Sequence, residues 1–190
     1  MAGILGATID TIIEVGYART SAALIAKRAA VSDGAIFRHF PTMRELMAAT
    51  LREAGRRQLE VYRSRMASIP VGAHTPEAVL RIVRDITHNP TNGVIYELLV
   101  AARTDEKLRE VLKDEIEQYQ KKIFDATGSL PAADGLDAPG RQNLQALTVV
   151  LLNAFDGAAI FQDVLPPTEA IEECRIKVLA SLLNPTGPTA

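Results

Sequence analysis

Residues 16–51 read GYARTSAALIAKRAAVSDGAIFRHFPTMRELMAATL, and the punctuation of this stretch decides the fold. Gly16 follows a periodic apolar run of Ile4, Leu5, Ile9, Ile12 and Ile13. It stands where a C-cap glycine belongs, so a first helix is expected from about Ala2 to Val15. Thr20 and Ser21 offer N-cap oxygens to a short second helix with Leu24, Ile25 and Ala29 on its inner side. Ala30-Val31 makes a tight connection. Ser32 can cap a third short helix whose first turn holds Asp33, a placement the helix dipole favours. Ile36, Phe37 and Phe40 give that helix an apolar face, and Pro41 stops it. A small core can be built from Ile25, Ala29, Val31, Ile36, Phe40 and Leu46, with Ala26 and Ala29 small enough for close helix approach. Three short helices, the last two joined by a turn of a few residues, form the outline of a helix-turn-helix. Many small helical bundles share that outline.

Outward on the third helix stand Asp33, Gly34, Ala35 and Arg38. Short side chains let a helix backbone lie deep in a major groove, where Arg38 can reach a guanine edge or a phosphate. Asp33 can accept from cytosine N4, or it can simply favour the helix N-terminus. Arg38 can equally be a solvated arginine, Phe37 a core residue, and His39 a local hydrogen-bonding group.

The remaining chain continues in helices. A long one is expected from about Met43 to Ser68, ended by Pro70 and Gly72. Others follow from Pro76 to about His88, Asn92 to about Arg103, and Asp105 to about Thr127. Residues 128–140 hold Ser129, Pro131, Asp134, Gly135, Pro139 and Gly140 and read as a loop. Two apolar helices, about Arg141 to Val164 and Pro167 to Leu183, precede a proline-rich tail over 184–190 that is expected to fray. The spacing contains no strand pattern of useful length and no internal repeat. The fold class is all-α.

Composition narrows the function. Nearly half of the 190 residues are apolar, enough for a packed core. Cys174 is the only cysteine, which excludes an internal disulfide and a cysteine metal cluster within one chain. No charged leader opens the sequence, and no uninterrupted apolar run reaches about 18 residues, so no membrane partner and a cytoplasmic location are expected. The net charge is −2, but residues 1–65 carry ten basic against six acidic groups, a local balance of +4 that leaves −6 for the rest. A basic segment on an acidic body suits local attraction to a polyanion.

The match to a family lies in Gly16, Tyr17, Thr20, Ser21, Ile25, Ala26, Ala29, Val31, Ser32, Gly34, Phe37, His39, Phe40 and Leu46 at their fixed spacing. This pattern resembles the DNA-binding region of TetR-type transcriptional regulators. The resemblance implies an N-terminal helix-turn-helix domain over residues 1–45 and a larger ligand-binding and dimerisation domain over 46–190. It implies DNA contacts at Thr20, Ser21, Ser32, Asp33, Gly34, Ala35, Phe37, Arg38, His39 and Arg44. Ser21, His39 and the start of the long helix would touch phosphate. Three positions depart from the pattern. Phe37 stands where tyrosine is common, removing a hydroxyl. Met43 stands where lysine is common, so Arg44 or a backbone amide would substitute. Ala30 replaces a frequent glycine, at a cost of roughly 1 kcal/mol if the backbone there is left-handed.

The last two expected helices carry apolar stripes, Leu144, Leu147, Leu151 and Phe155 on one and Ile171, Cys174, Val178 and Leu182 on the other. Val149, Val150, Leu152, Ile160 and Phe161 extend the apolar surface beyond one face, which implies burial on more than one side. By the resemblance, these helices form a four-helix bundle with a second copy. Both faces packing inside one monomer is the competing reading. The resemblance also implies a small-molecule effector, with Tyr62, Met66, His88, Tyr96, Tyr119, Phe124, Asn153 and Asp156 as candidate contacts because they interrupt apolar faces.

Catalysis and cofactors are not expected. His39, His74 and His88 lie far apart, none begins a metalloprotease motif, and no phosphate-binding glycine loop or nucleophile elbow is present. The competing functional class is a helical ligand-binding or protein-interaction module with a degenerate, weakly DNA-binding helix-turn-helix.

Overall fold

The computed structural model describes residues 1–183 apart from residues 71 and 163, so the tail over 184–190 lies outside the described residues. The elements run α1 (Ala2–Val15), a short 3-10 turn (Tyr17–Arg19), α2 (Ala22–Ala29), α3 (Asp33–His39), α4 (Met43–Ala67), α5 (Pro76–Thr87), α6 (Pro90–Ala102), α7 (Glu106–Gly128), a second 3-10 turn (Pro131–Ala133), α8 (Ala138–Phe161) and α9 (Glu169–Leu183). No strand occurs among the described residues, and the fold is all-α.

Side-chain caps set most helix starts. Thr42 and Glu45 form a reciprocal capping box at α4. The Thr42 Oγ1 accepts from Glu45 N–H at 3.2 Å, and the Glu45 carboxylate accepts from Thr42 N–H at 2.8 Å. Thr75 caps α5 ahead of Pro76, Asp105 caps α7, and Asp137 caps α8 at 2.8 Å from Gly140 N–H. The Asp137 cap and Pro139 in the first turn explain why α8 begins at Ala138 rather than near Arg141. Thr168 sets α9 back to Glu169, and Pro90 suits the opening of α6 two residues earlier than expected.

The chain divides into two compact units, Met1–Leu59 with Pro90–Asp125, and Glu60–Asn89 with the chain from Ala126 onward. The first is built on Ile4, Ile9 and Ile12 of α1, Ile25 of α2, Ile36 of α3, Leu46, Met47 and Leu51 of α4, Val94, Ile95 and Leu98 of α6, and Leu108 and Leu112 of α7. Gly55 on α4 lets Tyr119 of α7 lie directly against the helix. A Cβ there would stand 2.7 Å from the ring. The core of the second unit comprises Leu80, Leu151, Phe155, Ile176, Leu179 and Ala180. Arg175 stacks its guanidinium 5.0 Å above the Phe155 ring, and Arg81 of α5 pairs with Glu173 of α9 at 2.7 Å.

Leu151 and Phe155 are buried inside the subunit, which corrects their assignment to a surface stripe. Leu147 packs against the same core. The outward apolar residues of α8 are instead Val150, Ile160 and Phe161, while Ile171, Val178 and Leu182 are exposed along α9 as expected. Hydropathy is also high along α8. Over an 18-residue window α8 averages 1.6, apolar enough by length and composition to cross a membrane, although no uninterrupted run suggested it. Asn153 and Asp156 interrupt it, in line with the absence of an uninterrupted apolar run of that length.

On α4, Glu53 receives Arg56 and Arg57 at 2.8 Å each. The Arg56 hydrogen bond first, then Arg57, outweighs desolvation and brings the Glu53 carboxyl down to about 2. A depressed carboxylate adds stability above its unfolded pKa, and that contribution fades as pH falls toward the folded value. Glu53→Gln should therefore lower the melting temperature at neutral pH and converge on the wild type as pH falls from about 4.5 to about 2. Melts of both proteins across that window test this, and a constant gap would contradict it.

Candidate nucleic-acid interface

Two short helices and their caps build the candidate reading head. Ser21 Oγ accepts from Leu24 N–H at 3.4 Å to open α2, and Ser32 Oγ accepts from Ala35 N–H at 3.2 Å to open α3. Thr20 turns its hydroxyl onto the Gly16 carbonyl at 2.9 Å. All three hydroxyls thus first serve local folding. A serine that accepts a cap bond keeps its own proton for a phosphate.

The α2–α3 turn places Ala30 at φ 54° and ψ 42°, and Val31 N–H returns to the Ala26 carbonyl at 3.0 Å. This closure is a Schellman-type end that glycine ordinarily occupies. Ala30→Gly should therefore raise stability by about 0.5–1 kcal/mol, read as a higher midpoint in urea with unchanged slope. A lower midpoint would show that the left-handed alanine is not strained.

The faces of α3 separate sharply. Ile36 and Phe40 point into the core, whereas Ser32, Asp33, Gly34, Phe37, Arg38 and His39 are exposed and Ala35 is half-buried. The expected inward set of Leu24, Val31 and Phe37 is corrected here, since all three are exposed. In a seven-residue helix, positions 36 and 40 already fill the inner stripe, and Phe37 is turned about 100° away. His39 also faces outward, with its ring edge-on to Phe40 at 6.4 Å.

Arg44 has a partner within the protein. Its guanidinium lies 3.2 Å from the Asp105 carboxylate, and Asp105 at the same time caps α7 through Leu108 N–H at 2.9 Å. That capping bond, ahead of the Arg44 contacts, holds the Asp105 carboxyl below its usual range. The same pair lies beside Tyr17, whose phenol is pushed up by burial and then by Asp105, against an opposing pull from Arg44. Glu97 of α6 accepts the Tyr17 backbone N–H and lies 3.4 Å from the Cβ position of Gly16, whose φ is +79°. The turn after α1 is therefore tied to α6 through Glu97, with the Arg44–Asp105 pair close enough to act on the Tyr17 phenol. Glu97 carried no sequence signal, because nothing in spacing connects it with a turn eighty residues earlier.

The eight candidate effector contacts fall into two sets. Tyr96, Tyr119 and Phe124 belong to the first unit, and Tyr62, Met66, His88, Asn153 and Asp156 to the second. Tyr96 Oη accepts from Asn92, and Tyr119 packs on Gly55, so both have structural partners. Tyr62 is half-buried, and desolvation pushes its phenol up. Met66 and Asp156 are also half-buried, and the His88 ring nitrogen Nδ1 meets the Arg84 carbonyl at 2.7 Å. Asn153 is exposed on α8. A groove of about 460 Å³ in the first unit is lined by Leu5, Phe40, Ala49, Arg52, Glu53 and Val111 among others, and includes none of the eight.

Comparisons with known proteins agree with this head. The family described as bacterial regulatory proteins, tetR family, matches residues 4–50. An uncharacterized HTH-type transcriptional regulator of Mycobacterium tuberculosis is 52% identical over 184 residues, covering 97% of this chain and 92% of that one. The HTH-type transcriptional regulator CymR of Pseudomonas putida is 26% identical over 157 residues, 83% of this chain and 76% of the relative. Among solved structures, the multidrug binding protein EbrR complexed with imidazole is similar at a TM-score of 0.68 and 25% identity, over 99% of this chain and 96% of that one. Salmonella enterica GusR shares the fold at a TM-score of 0.66 and 18% identity, over 97% and 93%. With these relatives and a DNA-binding helix-turn-helix, the chain is a transcriptional regulator rather than an enzyme, and it belongs to the TetR family.

Proposed function

We propose that this protein is a ligand-released repressor that binds a palindromic operator as a homodimer in the cytoplasm, with α3 of each copy in successive major grooves. The exposed row of α3 carries this reading. Gly34, Phe37, Arg38 and His39 face outward from a short helix whose inner side is locked by Ile36 and Phe40. Arg38 would read a base edge, Asp33 and Ala35 would line the groove, and Thr20, Ser21, Ser32 and His39 would set the register on phosphates. Arg44 at the start of α4, paired with Asp105 and 44% exposed, would add a phosphate contact.

The second copy would cover the outward apolar residues of α8 and α9, Val150, Ile160, Phe161, Ile171, Val178 and Leu182. Large apolar side chains left open on two successive helices suit protein association, and two-fold symmetry suits two half-sites. Tyr62, Met66, His88 and Asp156 are proposed contacts for a small organic effector, the class suggested by the likeness to the multidrug-binding EbrR. Tyr62 and Met66 lie on α4, whose first half belongs to the unit that carries α3. An effector that favours one position of α4 would bias the heads, provided its affinity differs between the two states.

The test is capture of genomic fragments by the purified protein at two salt concentrations, followed by sequencing. One or a few palindromic sites retained at the higher salt support the repressor reading. Retention without sequence preference, or none at low salt, would favour a ligand-binding module with a degenerate head.

A further inference from the structure

The outward face of α3 carries one large apolar side chain. Phe37 leaves 40% of its surface open, although the helix already has inner positions at Ile36 and Phe40 for apolar groups. Its surroundings on that face are small or polar. Gly34, three residues earlier, has no side chain, and a Cβ there would meet only Ser32 Oγ at 3.9 Å. Asp33, four residues earlier, and Arg38, the next residue, are both exposed.

Helical side chains lean toward the N-terminus of their helix. Phe37 therefore presents its open part toward that end of the helix, and none of its side-chain atoms comes within 4 Å of the place a Gly34 Cβ would take, so the space at Gly34 stays free beside it. A phenyl ring has no proton for a phosphate and no acceptor for a base amine. In the major groove, the apolar feature that distinguishes a base pair is the 5-methyl group of thymine.

We infer that Phe37 is a specificity-determining residue that packs on a pyrimidine 5-methyl group, that of a thymine, in each operator half-site. Arg38 takes an adjacent base edge or phosphate. The Gly34 gap gives the methyl group room, since a side chain at position 34 would narrow the free space one turn before the ring. This inference rests on the operator-binding reading above. 5-Methylcytosine carries the same group at the same place and is separated from thymine by the test.

The experiment takes the operator recovered by genomic capture and replaces each thymine of both half-sites in turn by deoxyuridine, which removes only the methyl group. At one position per half-site, the wild type should lose affinity by about three- to fivefold for each buried methyl, or about ten- to twenty-five-fold for the symmetric pair. Phe37→Ala should bind the thymine and uracil duplexes equally, and Phe37→Tyr should keep the preference because its ring is retained. Both variants change an exposed position, so their melting temperatures report folding independently. Duplexes with cytosine and 5-methylcytosine at the same position complete the set. Restored binding by 5-methylcytosine supports methyl recognition and shows that methylation can substitute for thymine. Failure of 5-methylcytosine, with thymine still preferred over uracil, assigns the contact to thymine alone. Equal binding of thymine and uracil duplexes at every position overturns the inference and leaves the operator reading intact, as does a preference that persists in Phe37→Ala. Recovery of no specific site overturns both.

Discussion

Glutamate at both Phe161 and Val178 is expected to yield a folded monomer with almost no hold on operator DNA. Both side chains are largely open in the subunit, 64% and 57% exposed, so a single copy loses little when they change. At a two-fold interface each substitution occurs twice, and each new carboxylate would be buried opposite apolar groups. An uncompensated buried charge costs about 3–5 kcal/mol, so even one unrelieved pair would weaken dimerisation more than a thousandfold at 1.4 kcal/mol per tenfold. Sedimentation equilibrium should find monomer at micromolar concentration with a melting temperature near that of the wild type at the same oligomeric state. Operator affinity should fall by orders of magnitude, and the dependence on salt should drop to about half, because one head makes half the phosphate contacts. A variant that stays dimeric would place the association surface elsewhere on the molecule.

The second large effect is expected from Arg38→Ala. One well-formed arginine contact to a base edge is worth about 1–3 kcal/mol of discrimination, and a symmetric dimer makes it twice. Operator affinity should fall by about thirtyfold to twenty-thousandfold, while affinity for random duplex should change by only a few-fold. Arg38 is exposed on α3, so the loss should come without a change in thermal stability. The salt slope separates base from phosphate contact. A base reader leaves it nearly unchanged, whereas loss of one phosphate contact per head lowers it by about one unit for each head. Equal losses on operator and random DNA, with a reduced slope, would assign Arg38 to the backbone.

The helix boundaries of the head were legible because each one is written in local chemistry. Gly16 closes α1, Ser21 and Ser32 cap α2 and α3, and Pro41 follows the end of α3. The left-handed position at Ala30 was legible for the same reason, since the departure from glycine occurs at the place where the turn needs one. The direction in which Leu24, Val31 and Phe37 point was not. In helices of seven and eight residues the inner stripe holds only two or three side chains, and hydrophobicity alone does not say which apolar residue is left out.

The same limit applies to α8. Leu151 and Phe155 face inward while Val150, Ile160 and Phe161 face outward, and an all-round apolar helix gives no preferred face by periodicity. The starts of α8 and α9 moved because Asp137 and Thr168 cap them, signals present in the sequence but placed among prolines that read as loop. The commitments of Arg44 and Glu97 depend on contacts 61 and 80 residues apart, which no local pattern encodes.

The Gly16–Tyr17 turn sets a rule for transplanting this head. Its backbone is bonded by Glu97 on α6, and the Arg44–Asp105 pair lies beside it, so the groups around this seat are dispersed through the chain rather than confined to its first third. A chimera cut after residue 45 would carry Tyr17 and Arg44 into a foreign body without Glu97 and Asp105. A recipient that already presents an acid at the place of Glu97 keeps a hydrogen bond that reaches this turn from outside the first 45 residues, so that position is the first to compare before any gene is assembled.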